Sequence, residues 1–451
     1  MISAVMRDLS AYIAAAIRKP LPPEVVERAR IHLVDTFAAM ISGSRLIPGR
    51  KVLAYVKSQG GRPEASVVGT RIVTTATNAA LANGMFAHAD ETDDTHPPSR
   101  THPGASVVPA ALAIGQRDRL SGREVLRAMV LGYDVCSRML LSINEATFRY
   151  SGHHASSFGG VFGAAAAAGA LLKLDAPRVR YLLSYTAEQA AGLYSMHRDS
   201  EHIEKSFAMG GMPAHNGTAA ALMVAFGFTG VDDVFSGERD FFYTFAPKAN
   251  RSLLSRGLGS NYEILRGGIK RWTVGGPIQG PLHVLYELIQ KYCFKASDVK
   301  QLVMRMPDKE FETVNNRNMP NICVQHLLAV MLLDGTMTFK AAHDPARMKD
   351  ARVLEVRRRI KVVGDARLTD ALRRWRSVIE VTLKDGRRLA HQTMAAKGSF
   401  EDPLDRREEE EKALDLITPV LGKARTQALL KTLWAFDRVK DVRSLHSLVK
   451  T

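Results

Sequence analysis

Apolar residues recur every three or four positions through most of the first 226 residues, which is the spacing of one buried face of an α-helix. Pro20, Pro22 and Pro23 end the first such segment, and Gly43 ends the second. The pattern predicts helices at about 2–18, 24–41, 48–58, 75–89, 105–116, 123–143, 159–173, 176–194 and 214–226. We therefore expect a large all-helical domain over residues 1–267.

The pattern changes after residue 268, where short segments rich in β-branched residues begin. Strands are predicted at 299–306, 359–363, 378–383 and 388–394. The last two flank Asp385-Gly386, a dipeptide typical of tight hairpin turns. Residues 268–398 are predicted to form a smaller α+β domain. The helical pattern returns at Arg406, so residues 399–451 are expected to complete the helical domain and the fold class to be mainly α.

Residues 159–169 consist almost entirely of glycine and alanine. Small residues allow helix backbones to approach closely, so this segment predicts a tightly packed helical core. No strand pattern precedes it, as a dinucleotide-binding glycine loop would require.

Composition limits the classes of function. The chain has 451 residues, enough for two domains, and no apolar run of about 18 residues, so no membrane span is expected. Its formal net charge is +16, but no helix-turn-helix, RRM or C₂H₂ pattern accompanies it, so we predict no nucleic-acid partner. A positive field instead favours a small anionic substrate.

The three cysteines, Cys136, Cys293 and Cys323, are far apart and show no zinc-binding spacing. The first residues lack the basic and apolar regions of a signal peptide. Both observations favour a cytoplasmic protein.

The stretch 88–103 concentrates titratable side chains between two apolar helix patterns. It holds four carboxylates and three histidines, namely Asp90, Glu91, Asp93, Asp94, His88, His96 and His102. Polar groups between buried helices must be paired or functional. The stretch is therefore a candidate active site, although a capped, charged loop after a helix would have a similar composition.

Three stretches resemble the MmgE/PrpD family in order and spacing. They are 83–95 with Thr101-His102-Pro103, the residues Gly152-His153-His154 that lead into 162–168, and Lys205 before the helix near Asn216-Gly217. The family includes 2-methylcitrate dehydratase, cis-aconitate decarboxylase and an iminodisuccinate epimerase. The resemblance implies a large all-helical domain with a smaller α+β lid domain, a homodimer, and catalysis without a metal or organic cofactor.

The resemblance also implies which residues are catalytic. Carried over position by position, they are Glu91 (where the family usually has Asp), Asp93, His102, His154 and Lys205. The threonine of the family's Asp-Asp-Thr falls on Thr95, a candidate for substrate binding.

Three positions depart from the decarboxylase branch of the family. A site histidine of that branch aligns with Gln279, and a tyrosine aligns with His326; we keep both residues as candidates for substrate binding. The histidine of a Lys-Arg-Leu-His motif is replaced by Ala208. These departures favour dehydration or isomerisation over decarboxylation of cis-aconitate.

The residue types suit such chemistry. Dehydration of a β-hydroxy acid removes a weakly acidic proton next to a carboxylate, on which charge builds in the transition state. Lys205, with Arg100 or Arg271, would stabilise that charge. His102 and His154 would act as base and acid, and Glu91 or Asp93 would orient a histidine or serve as the base. The residue types alone leave the roles of acid and base open.

We therefore expect a cofactor-free lyase of the 2-methylcitrate dehydratase type that acts on a small di- or tricarboxylate. The alternatives are a related isomerase, epimerase or decarboxylase, and a family member that binds ligand but has lost activity. A metal-dependent hydrolase with ligands from residues 88–102 is a further alternative, but the chain has no His-Glu-x-x-His motif, so no metal is predicted.

Overall fold

The structure is a computed structural model that describes residues 2–143, 148, 151–370 and 373–451. The chain divides into two compact units, Met1–Gly267 with Leu416–Thr451, and Gly268–Asp415. The smaller unit thus includes residues 399–415, beyond the boundary expected at 398. The described residues are mainly helical, which confirms the predicted fold class at that level. The role of the smaller unit as a lid stays a prediction.

The helices of the first 267 residues mostly follow the apolar pattern. They are α1 (Ala4–Ala15), α2 (Pro23–Gly43), α3 (Ile47–Gln59), α4 (Ala76–Ala87), α5 (Pro103–Arg117), α6 (Gly122–Ile143), α7 (Ala155–Leu171), α8 (Ala176–Glu188), α9 (Ile203–Ser206), α10 (Met212–Ala225) and α11 (Phe241–Phe245). The helix predicted at 176–194 is wrong at its end, because α8 stops at Glu188 and a separate 3₁₀ turn follows at Tyr194–Arg198. The helix predicted from 214 begins earlier, since a π-helical turn, Phe207–Gly211, joins α9 to α10.

The larger unit is not wholly helical, which corrects the expectation of an all-helical domain. Strands β1 (Ala65–Ser66) and β2 (Val73–Thr74) pair antiparallel. Gln116 on α5 supports this pair, because its Oε1 accepts hydrogen bonds from the Ser66 backbone N–H and hydroxyl. Strands of two residues are too short to show an alternating pattern in the sequence.

The core of the larger unit is built by helices α4, α5, α6, α7 and α10, which pack against one another. A Cβ atom at Gly163 would lie 2.6 Å from the Gly132 carbonyl oxygen, and one at Gly217 would lie 2.6 Å from the Ala165 nitrogen. Only glycine permits such approaches of α7 to its neighbours α6 and α10. The predicted packing role of the glycine- and alanine-rich segment is therefore confirmed.

The smaller unit combines helices with a four-stranded mixed sheet. Its elements are α12 (Gln279–Tyr292), β3 (Val299–Met306), α13 (Asp308–Val314), α14 (Val324–Asp334), α15 (Phe339–Ala342), α16 (Ala351–Arg357), β4 (Ile360–Gly364), β5 (Ser377–Leu383), β6 (Arg388–Thr393) and α17 (Arg406–Leu421), of which α17 continues into the larger unit. The strand order is β4-β3-β5-β6, with β3 parallel to β4 and antiparallel to β5. Each predicted strand is present, and β5 and β6 form the predicted hairpin.

The chain ends in the larger unit with α18 (Lys423–Trp434) and α19 (His446–Val449). Among the helices of the described residues, none combines the length and apolarity that crossing a membrane requires.

Candidate active site

The loop between α4 and α5 carries the titratable stretch into the interior of the larger unit. His88 caps the C-terminus of α4, and His102 precedes Pro103, the first residue of α5. The four acidic residues of the stretch, His88 and His96 are each at most 8% exposed. The sequence left open a solvated, capped loop as the alternative. The burial of these side chains is inconsistent with that alternative.

Asp94 anchors the loop to three helices. Its Oδ2 accepts hydrogen bonds from the Tyr133 hydroxyl on α6 at 2.6 Å and from Nδ1 of His32 on α2 at 2.7 Å. Its Oδ1 accepts the backbone N–H of Gly104 at 3.0 Å, in the first turn of α5. A carboxylate at a helix N-terminus is stabilised by the unpaired N–H groups there. Asp94 therefore fixes the start of α5 and the loop before it.

His96 is held in a second buried network. Its Nδ1 lies 2.7 Å from the Ser99 hydroxyl, and its Nε2 lies 3.1 Å from Oε2 of Glu263. Arg266 donates to the same Glu263 oxygen at 3.1 Å. Burial lowers the pKa of His96, although Glu263 opposes this shift. Both ring nitrogens of His96 are thus engaged in holding the loop.

Asp93 joins two histidines. Its Oδ2 lies 2.8 Å from Nδ1 of His88 and 3.2 Å from Nδ1 of His102, and a carboxylate oxygen accepts in both contacts. The two imidazole rings meet edge to face, with centroids 5.2 Å apart. Asp93 therefore orients both rings through Nδ1, and the Nε2 atom of each lies on the far side of its ring from Asp93.

Glu91 pairs with Lys205, the lysine that the family resemblance marks as a site residue. The Lys205 ammonium donates to Oε1 of Glu91, and the two side chains are 14% and 10% exposed. His202, the N-cap of α9, adds its ring from the same segment, with Nε2 3.9 Å from Oε1 of Glu91. The His202 and His88 rings are 5.3 Å apart. The structure thus brings residues 88–102 together with residues 202–205.

His154 lies at the start of α7 beside this cluster. Its backbone N–H donates to Gly192, and its ring lies 5.3 Å from that of His197. Burial lowers the pKa of His154 well below its usual value, and the charges of His197, His102 and Lys205 lower it further. His154 is therefore neutral near pH 7 and able to accept a proton.

Comparison with known protein families adds an independent observation. The model of the MmgE/PrpD N-terminal domain matches residues 7–253, and that of the MmgE/PrpD C-terminal domain matches residues 272–436. The chain belongs to the MmgE/PrpD family. This confirms the resemblance drawn from the three stretches of sequence.

Its relatives in this family include enzymes. The chain is 24% identical to cis-aconitate decarboxylase of Homo sapiens over 95% of this chain and 91% of the relative, and 22% identical to that of Mus musculus over 100% and 94%. It is 24% identical to cis-aconitate decarboxylase of Aspergillus terreus (strain NIH 2624 / FGSC A1156), over 64% of this chain and 61% of that enzyme.

The five residues expected to be catalytic all lie in the larger unit, and four of them form two pairs. Asp93 bonds His102, and Glu91 bonds Lys205. The charges of His102 and Lys205 contribute to the lowered pKa of His154. Of the substrate-binding candidates in this unit, Thr95 and Arg100 are half-buried in the same loop, and Arg100 has a left-handed backbone with φ 54°.

The other three candidates for substrate binding lie in the smaller unit. The Arg271 guanidinium stacks 4.8 Å from the ring centroids of Trp272 and Tyr286. The Gln279 amide is engaged with the backbone of residues 272 and 274 at 2.8 to 3.1 Å, so it shapes the start of α12. His326 is fully buried on α14, and neither of its ring nitrogens has a hydrogen-bond partner among the described residues. Their part in substrate binding stays a prediction.

The structure brings two further histidines, His88 and His202, next to the expected catalytic residues. The family resemblance marks neither of them as catalytic. His202 lies only three positions before Lys205 in the sequence, and this proximity was the available signal.

Proposed function

We propose that this chain is a lyase that acts on a small di- or tricarboxylate and moves a proton at the carbon next to a carboxylate. The observation that carries the proposal is the buried contact of Lys205 with Glu91, beside the pair of histidines that Asp93 orients. A cation and proton-transfer groups in one water-poor cluster are what this reaction type requires.

Lys205 would bind a substrate carboxylate. In the structure the Lys205 ammonium bonds the Glu91 carboxylate. A substrate carboxylate would bind the same ammonium, either beside Glu91 or in its place. Charge that develops on this carboxylate during proton removal would then face a fixed cation in a buried setting. The net positive charge of the chain would attract such an anion.

His154 and His102 would transfer the protons. His154 is neutral without substrate, because burial and nearby cations lower its pKa. A bound polycarboxylate adds negative charge, which favours the protonated imidazole, so His154 would take up a proton once substrate is present. His102, held by Asp93 through Nδ1, would present Nε2 as the second proton-transfer group.

Two reactions of this class are supported by different observations. Loss of water, as in 2-methylcitrate dehydratase, follows from the resemblance and from Gln279, His326 and Ala208, which depart from the decarboxylase pattern. Loss of carbon dioxide is favoured by the relatives, which are cis-aconitate decarboxylases. Both need a cation that faces a carboxylate and a proton-transfer group at the neighbouring carbon. Dehydration removes a proton from that carbon and gives one to the leaving hydroxyl, whereas decarboxylation delivers a proton to the carbon after carbon dioxide leaves.

The test is a ligand and product screen with purified, EDTA-treated protein. Binding to the folded state raises the melting temperature by mass action, so 2-methylcitrate, citrate, cis-aconitate, itaconate, tartrate and malate are compared first. Compounds that stabilise are incubated and analysed by NMR for loss of water, loss of carbon dioxide or isomerisation. A stabilising polycarboxylate that is turned over supports the proposal. Binding of none of them by folded protein, or binding without any turnover, contradicts it.

A further inference from the structure

Three buried imidazole nitrogens of the candidate site have no hydrogen-bond partner among the described residues, namely Nε2 of His88, Nε2 of His202 and Nδ1 of His154. The first two belong to residues that are at most 6% exposed and lie near Glu91. A buried polar atom without a partner costs about 1–3 kcal/mol, so both atoms point to a ligand that they would bind.

The hydrogen bonds of His88 fix which nitrogen carries its lone pair. Its Nδ1 faces Oδ2 of Asp93 at 2.8 Å and donates to it. The Nε2 atom therefore has a lone pair to offer. A carboxylate behind one nitrogen and a metal in front of the other is the usual arrangement of a metal-binding histidine.

Glu91 supplies a third ligand atom. Ligand atoms of His88, Glu91 and His202 all lie within 4.8 Å of one another, and Nε2 of His202 is 3.9 Å from Oε1 of Glu91. A tetrahedral zinc ion holds its ligand atoms roughly 3.4 Å apart, so side-chain movements of about 1 Å would close the set. Two imidazoles and a carboxylate are ligands that Zn²⁺ and Co²⁺ accept.

We propose that His88, His202 and Glu91 form a binding site for a divalent transition-metal ion, best suited to Zn²⁺, which competes with the Lys205 ammonium for Glu91. A divalent ion and the Lys205 ammonium bound to Glu91 at the same time would place three positive charges next to one carboxylate. Their mutual repulsion makes the two cations compete for Glu91. The affinity of the site is therefore set by how readily Lys205 leaves. The site does not depend on the lyase proposal.

A second set of potential ligands, His88, Asp93 and His102, needs no metal. Its distances of 2.8 and 3.2 Å are those of N–H···O hydrogen bonds to Oδ2 of Asp93. In the proposed site Asp93 lies behind His88 and raises its basicity.

The experiment uses Co²⁺, whose visible absorption reports its ligands directly. EDTA-treated, full-length protein is titrated with Co²⁺ and then with Zn²⁺ in competition. We expect one Co²⁺ per chain with an absorption spectrum of four- or five-coordinate metal, displaced by Zn²⁺. His202→Asn and Glu91→Gln should each weaken binding by at least tenfold, and Asp93→Asn by about 10–100-fold. Asparagine is chosen for His202 because its backbone is left-handed, with φ 63°.

Lys205→Met gives the most specific outcome, since removing the competing ammonium should strengthen Co²⁺ binding by at least tenfold. His215→Asn is the matched control and should leave the Co²⁺ affinity unchanged, because His215 lies outside the proposed site and its Nδ1 bonds the side chain of its neighbour Asn216. Absent Co²⁺ absorption, or binding that His202→Asn and Glu91→Gln leave unaltered, overturns the site. If turnover of a polycarboxylate requires the metal, the site stands and the metal-independent lyase falls.

Discussion

The ion pair of Lys205 with Glu91 sets the properties of individual residues in the cluster. It is largely buried, so each partner is stabilised by the other rather than by water. Removing one partner of such a pair leaves a buried charge without its counter-ion. The sequence indicated both residues, but not that they bond, since 114 positions separate them.

Lys205→Met should therefore reduce both activity and stability. We expect turnover to fall by about 10²–10³-fold, because a cation that faces the transition state is lost. The free energy of unfolding should fall by about 3 kcal/mol, because Glu91 loses its ammonium partner. Steady-state kinetics and urea unfolding measure the two effects.

The double variant Glu91→Gln with Lys205→Met separates these effects. It replaces the carboxylate that Lys205 no longer neutralises with a neutral amide, so most of the lost stability should return while turnover stays low. Stability that falls further in the double variant would show that Glu91 and Lys205 do not stabilise each other.

His326 should make the smaller unit sensitive to acid. Burial, then the charges of Arg357 and Arg347, lower its pKa from 6.5 to about 4. Between these values the unfolded chain binds a proton that the folded chain does not, so the free energy of unfolding decreases as the pH falls from 6.5 to 4, by about 3 kcal/mol in total. The imidazole thus stabilises the fold above pH 6.5 and loses that contribution as the pH falls towards 4.

His326→Gln should flatten this dependence. Tryptophan fluorescence is a suitable probe, because Trp272 and Trp375 lie in the smaller unit. His391→Gln, at a surface position, is the control. Equal acid sensitivity of the native chain and the His326 variant would exclude the buried imidazole as its cause.

At the scale of elements, the site depends on how the π-helical turn meets α4. A Cβ atom at Gly210 would lie 2.1 Å from the Gly84 carbonyl oxygen, and one at Gly84 would lie 2.5 Å from the Gly210 oxygen. This contact brings the segment of Lys205 to the end of α4, where His88 lies. Helix spacing predicted α4 and α10, but a π turn has no distinct apolar pattern, so the approach of the two segments was not predictable.

Gly210→Ala should disturb this crossing. A methyl group there must push α4 away, which costs about 1–3 kcal/mol of stability and shifts Lys205 relative to His88. Gly230→Ala is the control, since the nearest atom to its Cβ would be 3.5 Å away. Thermal unfolding and kcat are compared; a Gly210 variant that matches the Gly230 variant in both would show that the contact does not position the site.

At the scale of the whole molecule, the sequence predicted most of the architecture because long helices and alternating strands leave clear periodic patterns. The four-stranded sheet and its hairpin follow from alternation and Asp385-Gly386. The cluster was predictable only in part. His88, Asp93 and His102 are close in sequence. His202 belongs to a distant segment and itself has a left-handed backbone, with φ 63°, which no sequence pattern indicated.

We also propose, from the family resemblance, that the protein is a homodimer. The larger unit exposes several large apolar side chains, Phe226, Phe228, Val231 and Tyr243, of the kind that a second copy covers. Light scattering should give twice the mass of one chain across the concentrations used for kinetics. A mass of one chain would contradict the dimer and leave the larger unit to assemble its site alone.

The central claim is that the cluster of Lys205, Glu91, His102 and His154 moves a proton at a carbon next to a carboxylate. The most direct measurement follows deuterium by NMR when EDTA-treated protein turns over the stabilising polycarboxylate in D₂O. The account predicts that decarboxylation or isomerisation places solvent deuterium at that carbon in the product, and that dehydration, which adds no hydrogen there, is slower for substrate deuterated at that carbon. His102→Gln should lower the rate by at least about 10²-fold while the protein stays folded. Decarboxylation or isomerisation without deuterium at that carbon, dehydration without an isotope effect, or an unchanged rate in the His102 variant would contradict it.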